Sequence, residues 1–215
     1  MSVGAMWRSN AVTTALLILL NLAVMSLGDA AWIAIGALGL LGAAWFGFRQ
    51  GMAAGHDACG VLDTVRALSA EEATFGQEKA DRKYLAQAWS VGSGARAVLL
   101  SALIPLAAGC LYIACTLLDV RPMVLPTRIA AWFLALPWWC AVLPWQKSFE
   151  QLTPLVAAVL IVTPFLLPLC QFAGYMQGPK LWAHTEQAMK DGRRRAKARS
   201  RVAKKRAPRA QKPEV

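Results

Sequence analysis

Charge is what most of this chain lacks. Residues 9–28, 30–48, 97–118, 129–146 and 151–179 contain no Asp, Glu, Lys or Arg, and only 16% of the 215 residues are charged at all. A 57% hydrophobic content gives a chain of this length more apolar surface than a soluble domain could bury, so an ordinary water-soluble fold is excluded. Histidine is almost missing: His56 and His184 are the only two, and neither lies in an HExxH pattern. The five cysteines form no CxxC pair, which removes the zinc and dithiol motifs. Cys110, Cys115, Cys140 and Cys170 lie inside the uncharged runs, where they read as buried free thiols. Walker A, Rossmann and nucleophile-elbow glycines are also lacking. Without a catalytic constellation, neither enzymatic activity nor a metal or cofactor is expected.

What is present is apolar length. Runs near 20 residues match a hydrocarbon core of about 30 Å at about 1.5 Å rise per residue. In lipid every backbone polar group needs an internal partner, and runs this long provide one as helices rather than as the roughly ten-residue strands of a barrel. The expected fold class is all-α, a multi-pass helical membrane protein with spans at about 10–27, 30–48, 97–118, 129–145 and 153–176. A membrane domain is expected over 1–178, including an extramembrane helical connection at 49–96. Residues 179–215 then form an amphipathic juxtamembrane segment and a disordered polybasic tail. Trp7, Trp32, Trp45, Trp145 and Trp182 stand at or near run ends, where amphipathic rings favour the headgroup layer. Gly28-Asp29 reads as the turn of a tight hairpin between the first two runs.

The fourth run admits two readings. It is short and carries Pro137 and Pro144 around Trp138-Trp139. Crossing gives five spans. Dipping in and returning gives four, with both termini and the 49–96 connection on one side. Thirteen Lys and Arg lie between Lys180 and Lys212, against Glu186, Asp191 and Glu214, so most of the net charge of +11 belongs to the tail. Basic segments favour the cytoplasmic side, which places the C-terminus in the cytoplasm, most naturally of a bacterial cell. Five spans with the tail inside would put fifteen Lys and Arg inside and eight outside but leave the charged 49–96 connection outside, a conflict that four spans remove.

Several motifs carry further expectations. Ala43, Gly47, Gly51 and Gly55 form a small-residue ladder at four-residue spacing, continuing to Cys59, which lets another helix approach closely. The partner is either a helix of the same chain or a second protein in a homo- or hetero-oligomer. His56-Asp57 crowds a base against an acid, but adjacent helical residues point about 100° apart and cannot converge on an ion. Ser69-Ala70-Glu71-Glu72 reads as a capping box that starts a second surface helix with Phe75, Tyr84, Leu85, Ala88 and Trp89 on its apolar side. Pro154, Pro164 and Pro168 interrupt the last run, as in helices that free carbonyls beside a transport pathway.

In the tail, a surface helix is expected from Lys180 to Met189, ending at Gly192. Beyond it no fixed structure is expected. Lys190, Arg193, Arg194, Arg195, Lys197, Arg199, Arg201, Lys204, Lys205 and Arg206 are the candidate contacts to anionic lipid headgroups, with nucleic acid as a weaker candidate. The expected function is that of a non-enzymatic accessory or assembly component of a membrane complex, with a small transporter or permease subunit as the alternative.

Overall fold

A computed structural model describes residues 3–72, 87–145 and 151–206, with the side chains of 3, 4, 66–72 and 201–206 set aside. Among these residues the chain is five α-helices and no strand. They are α1 (Val3–Val24), α2 (Asp29–Glu72), α3 (Val91–Leu117), α4 (Arg121–Val142) and α5 (Pro154–Arg206). All five are long and apolar enough to cross a membrane.

The helix boundaries follow local chemistry. A 3-10 turn, Met25–Leu27, ends α1, and Gly28 reverses the chain with φ +101°, a region where an L side chain is strained. The hairpin is locked across its mouth by Trp32, whose Nε1–H donates to buried Asn21 Oδ1 at 2.8 Å. Ser90 caps α3 by accepting the Ser93 N–H at 3.1 Å, so Gly92-Ser93-Gly94 forms the helix's first turn. Asp119, with φ 50°, turns the chain from α3 into α4. Pro154 opens α5, at a position where its missing N–H costs nothing.

The directions of the helices are the less obvious result. α1 and α2 are antiparallel: Ser9 bonds Gln50 at one end, while Asn21 lies beside Gly36 near the other. α3 is antiparallel to α5, with Gly94 against Phe172 and Tyr175, and Gly109 against Leu160. α2 and α5 are parallel. Gly47 lies by Leu167 and Gln171, Gly51 by Gln171 and Tyr175, Gly55 by Tyr175 and Gly178, and Gly60 by Trp182. The bundle therefore has a turn end, holding Gly28, the 118–120 turn and the start of α5. It also has a stalk end, where α1 and α3 begin and where α2 and α5 run on together.

α4 starts at the turn end, following directly from α3, and its last turn lies against α2 about two turns from that end. Cys140 faces Gly36, and Trp139, Val142 and Leu143 cluster with Val24, Trp32, Tyr112 and Val156. α5 also begins at the turn end, so an α4 that traversed the bundle would leave only residues 143–153 to bring the chain back to it. Pro126 and Pro137 both lie inside α4, and Pro137 leaves the carbonyl four residues before it without its helical donor, a standard cause of bending.

Two helices also run further than their apolar runs. α2 continues through Ser69-Ala70-Glu71-Glu72, so the expected capping-box residues are its last turn; Phe75, Tyr84 and Leu85 of the expected second surface helix fall outside the described residues, while Ala88 and Trp89 lie in a non-helical lead-in to α3. α5 does not stop at Gly192 but continues to Arg206. Ala, Arg, Lys and Gln are strong helix formers, and one glycine costs only about 1 kcal/mol relative to alanine. At about 1.5 Å per residue, the 53-residue α5 is about 80 Å long, far more than a hydrocarbon core of about 30 Å requires.

Candidate functional site

The glycine ladder is occupied from within. A Cβ on Gly51 would fall on the Gln171 carbonyl, one on Gly55 on the Tyr175 carbonyl, and one on Gly174 on the Phe48 carbonyl. Gly178 is equally closed, by Gly55 and His56 backbone. Two ladders of small residues thus interlock, Gly47-Gly51-Gly55 on α2 and Gly174-Gly178 on α5, and the two backbones touch over two turns. Ala43 extends the seam, buried in a cluster with Leu17 and Leu167. The Gly174-x-x-x-Gly178 half was present in the sequence with the same spacing as its partner but was not singled out.

Above this seam α2 and α5 stay paired. Trp182 Nε1–H donates to Asp63 Oδ2 at 2.6 Å, its ring lies on Gly60, and His56 meets it edge-on with centroids 5.0 Å apart. His56 Nε2 also lies 3.3 Å from Thr185 Oγ1, and Nδ1 3.5 Å from Asp57 Oδ1. The histidine is a helix-pairing residue here, and no group of three metal-ligating side chains occurs among the described residues. Trp89 ties the start of α3 to the same stalk: its N–H donates to the Ala58 carbonyl at 3.0 Å, and its ring stacks on Tyr175 at 6.1 Å.

Beyond Thr185 the helix turns polar. Lys190, Arg193, Arg194, Arg195, Lys197 and Arg199 are all exposed, and the helical backbone carries Arg201, Lys204, Lys205 and Arg206 onward from them. Lys190 pairs with Glu186 one turn earlier. The candidate anion contacts are thereby displayed along a basic rod.

A second feature sits inside the bundle. Asn10 Nδ2 donates to Gln171 Oε1 at 2.7 Å and to Ser101 Oγ at 3.1 Å, joining α1, α3 and α5 through one buried amide. Gln171 Nε2 is buried with no hydrogen-bond partner. Next to Asn10 opens a cavity of about 230 Å³ walled by α1, α3 and α5, with Ala131 to Trp138 of α4 as its floor. Pro164 and Pro168, two of the helix-breaking prolines read from the sequence, line it together with Pro105, whereas Pro137 and Pro144 do not. Pro154, by contrast, only starts α5. Asn10 and Ser101 had no distinguishing pattern in the sequence; they are single polar residues in apolar runs, and only packing brings them together.

No protein-family model, no curated protein and no solved structure matches this chain.

Proposed function

We propose that this chain is a non-enzymatic, multi-pass membrane protein with four crossings and a re-entrant α4, acting as an accessory component that displays a basic helical arm on the cytoplasmic face of a membrane complex. The parallel course of α2 and α5 is the observation that carries this reading. On this reading the N-terminus, the 49–96 connection and the arm share one side, and with them 20 of the 23 Lys and Arg, all but Arg121, Arg128 and Lys147. Nine of the 12 acids go with them, all but Asp29, Asp119 and Glu150, so the other side is neutral and the whole net charge of +11 lies at the stalk end. Such a distribution is strongly oriented under the positive-inside bias and supports a cytoplasmic stalk in a bacterial cytoplasmic membrane.

With the glycine ladder consumed inside the chain, the arm is the surface left for partners. Each Lys or Arg close to an anionic leaflet contributes about 1 kcal/mol, so even half of the arm's cations bind strongly. Anionic lipid headgroups are therefore the first partner, alone or alongside another membrane protein, with nucleic acid as the competitor. Photo-crosslinking from position 197 in native membranes tests this. Adducts to phospholipid or to a membrane protein are the expected result, and adducts to RNA alone would overturn it.

One observation favours the second reading, a small transporter or permease subunit. The proline-lined cavity next to the Asn10–Gln171–Ser101 amide cluster is the kind of midplane space where discontinuous helices bind solutes.

A further inference from the structure

The cavity has a definite chemical character. Among the residues lining it none is charged, and most of its wall is apolar. Hydroxyls in helices ordinarily donate to the carbonyl four residues back, as Thr13, Thr116, Thr127 and Thr163 do here. Among the described residues Thr14 and Ser101, both on the cavity wall, make no such bond, and Ser101 Oγ accepts from Asn10. Each keeps an O–H to give. Acceptors lie beside them. Pro105 and Pro168 have no N–H, so the carbonyls of Ser101 and Pro164 lose their helical donors, and both residues line the same space.

A single ligand hydroxyl satisfies this pattern, because it accepts from one wall group and donates to another. The rest of the ligand is apolar. A dry cavity of about 150 Å³ accommodates benzene, so about 230 Å³ suits an aromatic ring with a few added heavy atoms. Trp7 and Trp138 on the wall add aromatic surface that suits a ring. Ala11, Ala15 and Ile104 line the cavity and are also exposed on the flank of the bundle, Ile104 by 58%, which places the mouth between α1 and α3.

We propose that this cavity binds an uncharged phenol-class lipophile that enters sideways from the acyl region of the bilayer. The proposal rests on the membrane placement given above, since a mouth on that flank opens to lipid only if the bundle is embedded. It also deepens the second reading, by naming what the space would hold.

The test uses the full chain in phospholipid nanodiscs, with 4-bromophenol as a heavy-atom quencher of tryptophan fluorescence and 4-bromotoluene as the same shape without the hydroxyl. Saturable quenching by 4-bromophenol is expected, about tenfold tighter than by 4-bromotoluene, the scale of one well-made buried hydrogen bond. Thr14→Val with Ser101→Ala should erase that preference while leaving 4-bromotoluene binding unchanged. Because Ser101→Ala also removes a partner of Asn10, Thr14→Val alone serves as the variant that spares the packing, and a loss of at least threefold is expected from it. Ala15→Phe, at the exposed mouth, should slow association severalfold. Equal affinity for the two probes, or quenching that never saturates, would overturn the site. An unchanged association rate in Ala15→Phe would overturn the lateral route. Recovery of the protein in the alkaline-washed membrane pellet is read separately, so failure of the cavity and failure of the membrane placement give different results.

Discussion

Gly51 and Asn10 are the two residues on which most of the packing turns. Gly51 has no room for any side chain, because the space a Cβ would take is already filled by the Gln171 carbonyl. Gly51→Leu must push α2 off α5, and overpacking even of yielding side chains costs about 1–3 kcal/mol; here backbone blocks backbone, so loss of the folded bundle in a thiol-dye thermal melt is expected. Gly42 is the control, since nothing lies near its Cβ, and Gly42→Leu should leave the melt within a degree or two of wild type. Asn10→Leu strands Gln171 Oε1 and removes the bond to Ser101. Leaving a buried group unpaired costs about 1–3 kcal/mol, whereas Asn10→Leu with Gln171→Leu strands less. The double variant should therefore melt higher than the sum of the two singles, with a coupling of about 0.5–1.5 kcal/mol, near the range measured between membrane helices. At this scale the sequence was half legible. The four-residue spacing announced a close helix approach, but single Asn, Ser and Gln residues carry no periodic signal of where they will meet.

Among the elements, α5 and α4 differ most from what hydropathy conveys. Hydropathy reports length and apolarity, and by that measure all five helices qualify as spans. It carries no sign of direction, which is why the fourth run admits both readings, and the contact of Cys140 with Gly36 is what favours the re-entrant one. The two prolines and short length of the fourth run were the sequence's only hints. For α5, the low apolar content after Met189 suggested no fixed structure, yet helix propensity among Ala, Lys and Arg is high, and the stalk contact at Trp182–Asp63 gives that helix a fixed start. Arg193, Arg194 and Arg195 changed together to Glu reverse three exposed charges on the arm. Cosedimentation of the full chain's nanodiscs with phosphatidylglycerol vesicles should weaken at least a hundredfold at 0.1 M salt, and the wild-type interaction should fall steeply as salt rises. Retention of full binding would remove the arm as the lipid contact.

For the whole molecule, the hairpin at Gly28, the all-helical class and the concentration of cations in the last 36 residues were readable directly from composition and run length. The arrangement was not, because it depends on α2 and α5 finding each other through two matched glycine ladders more than a hundred residues apart in sequence. That seam also explains how a chain with so uneven a charge distribution is organised: it draws both long helices out of the same end, and the cations with them. Trp182→Ala, which removes the ring on Gly60 and the bond to Asp63, should loosen the stalk without unseating the bundle. Hydrogen exchange should rise along residues 56–65 and 180–190 and stay low around Gly47 and Gln171.

Sidedness separates the arrangements most directly. In a background with the five native cysteines replaced, single cysteines at positions 2, 26, 147 and 215 are challenged in intact cells with a membrane-impermeant maleimide. Four crossings with a re-entrant α4 require Ser26→Cys and Lys147→Cys to react from outside together, and Ser2→Cys and Val215→Cys to react only after the membrane is opened. Labelling of positions 26 and 147 from opposite sides would mean that α4 crosses, and would contradict the parallel pairing on which the placement of the charge, the stalk and the arm depends.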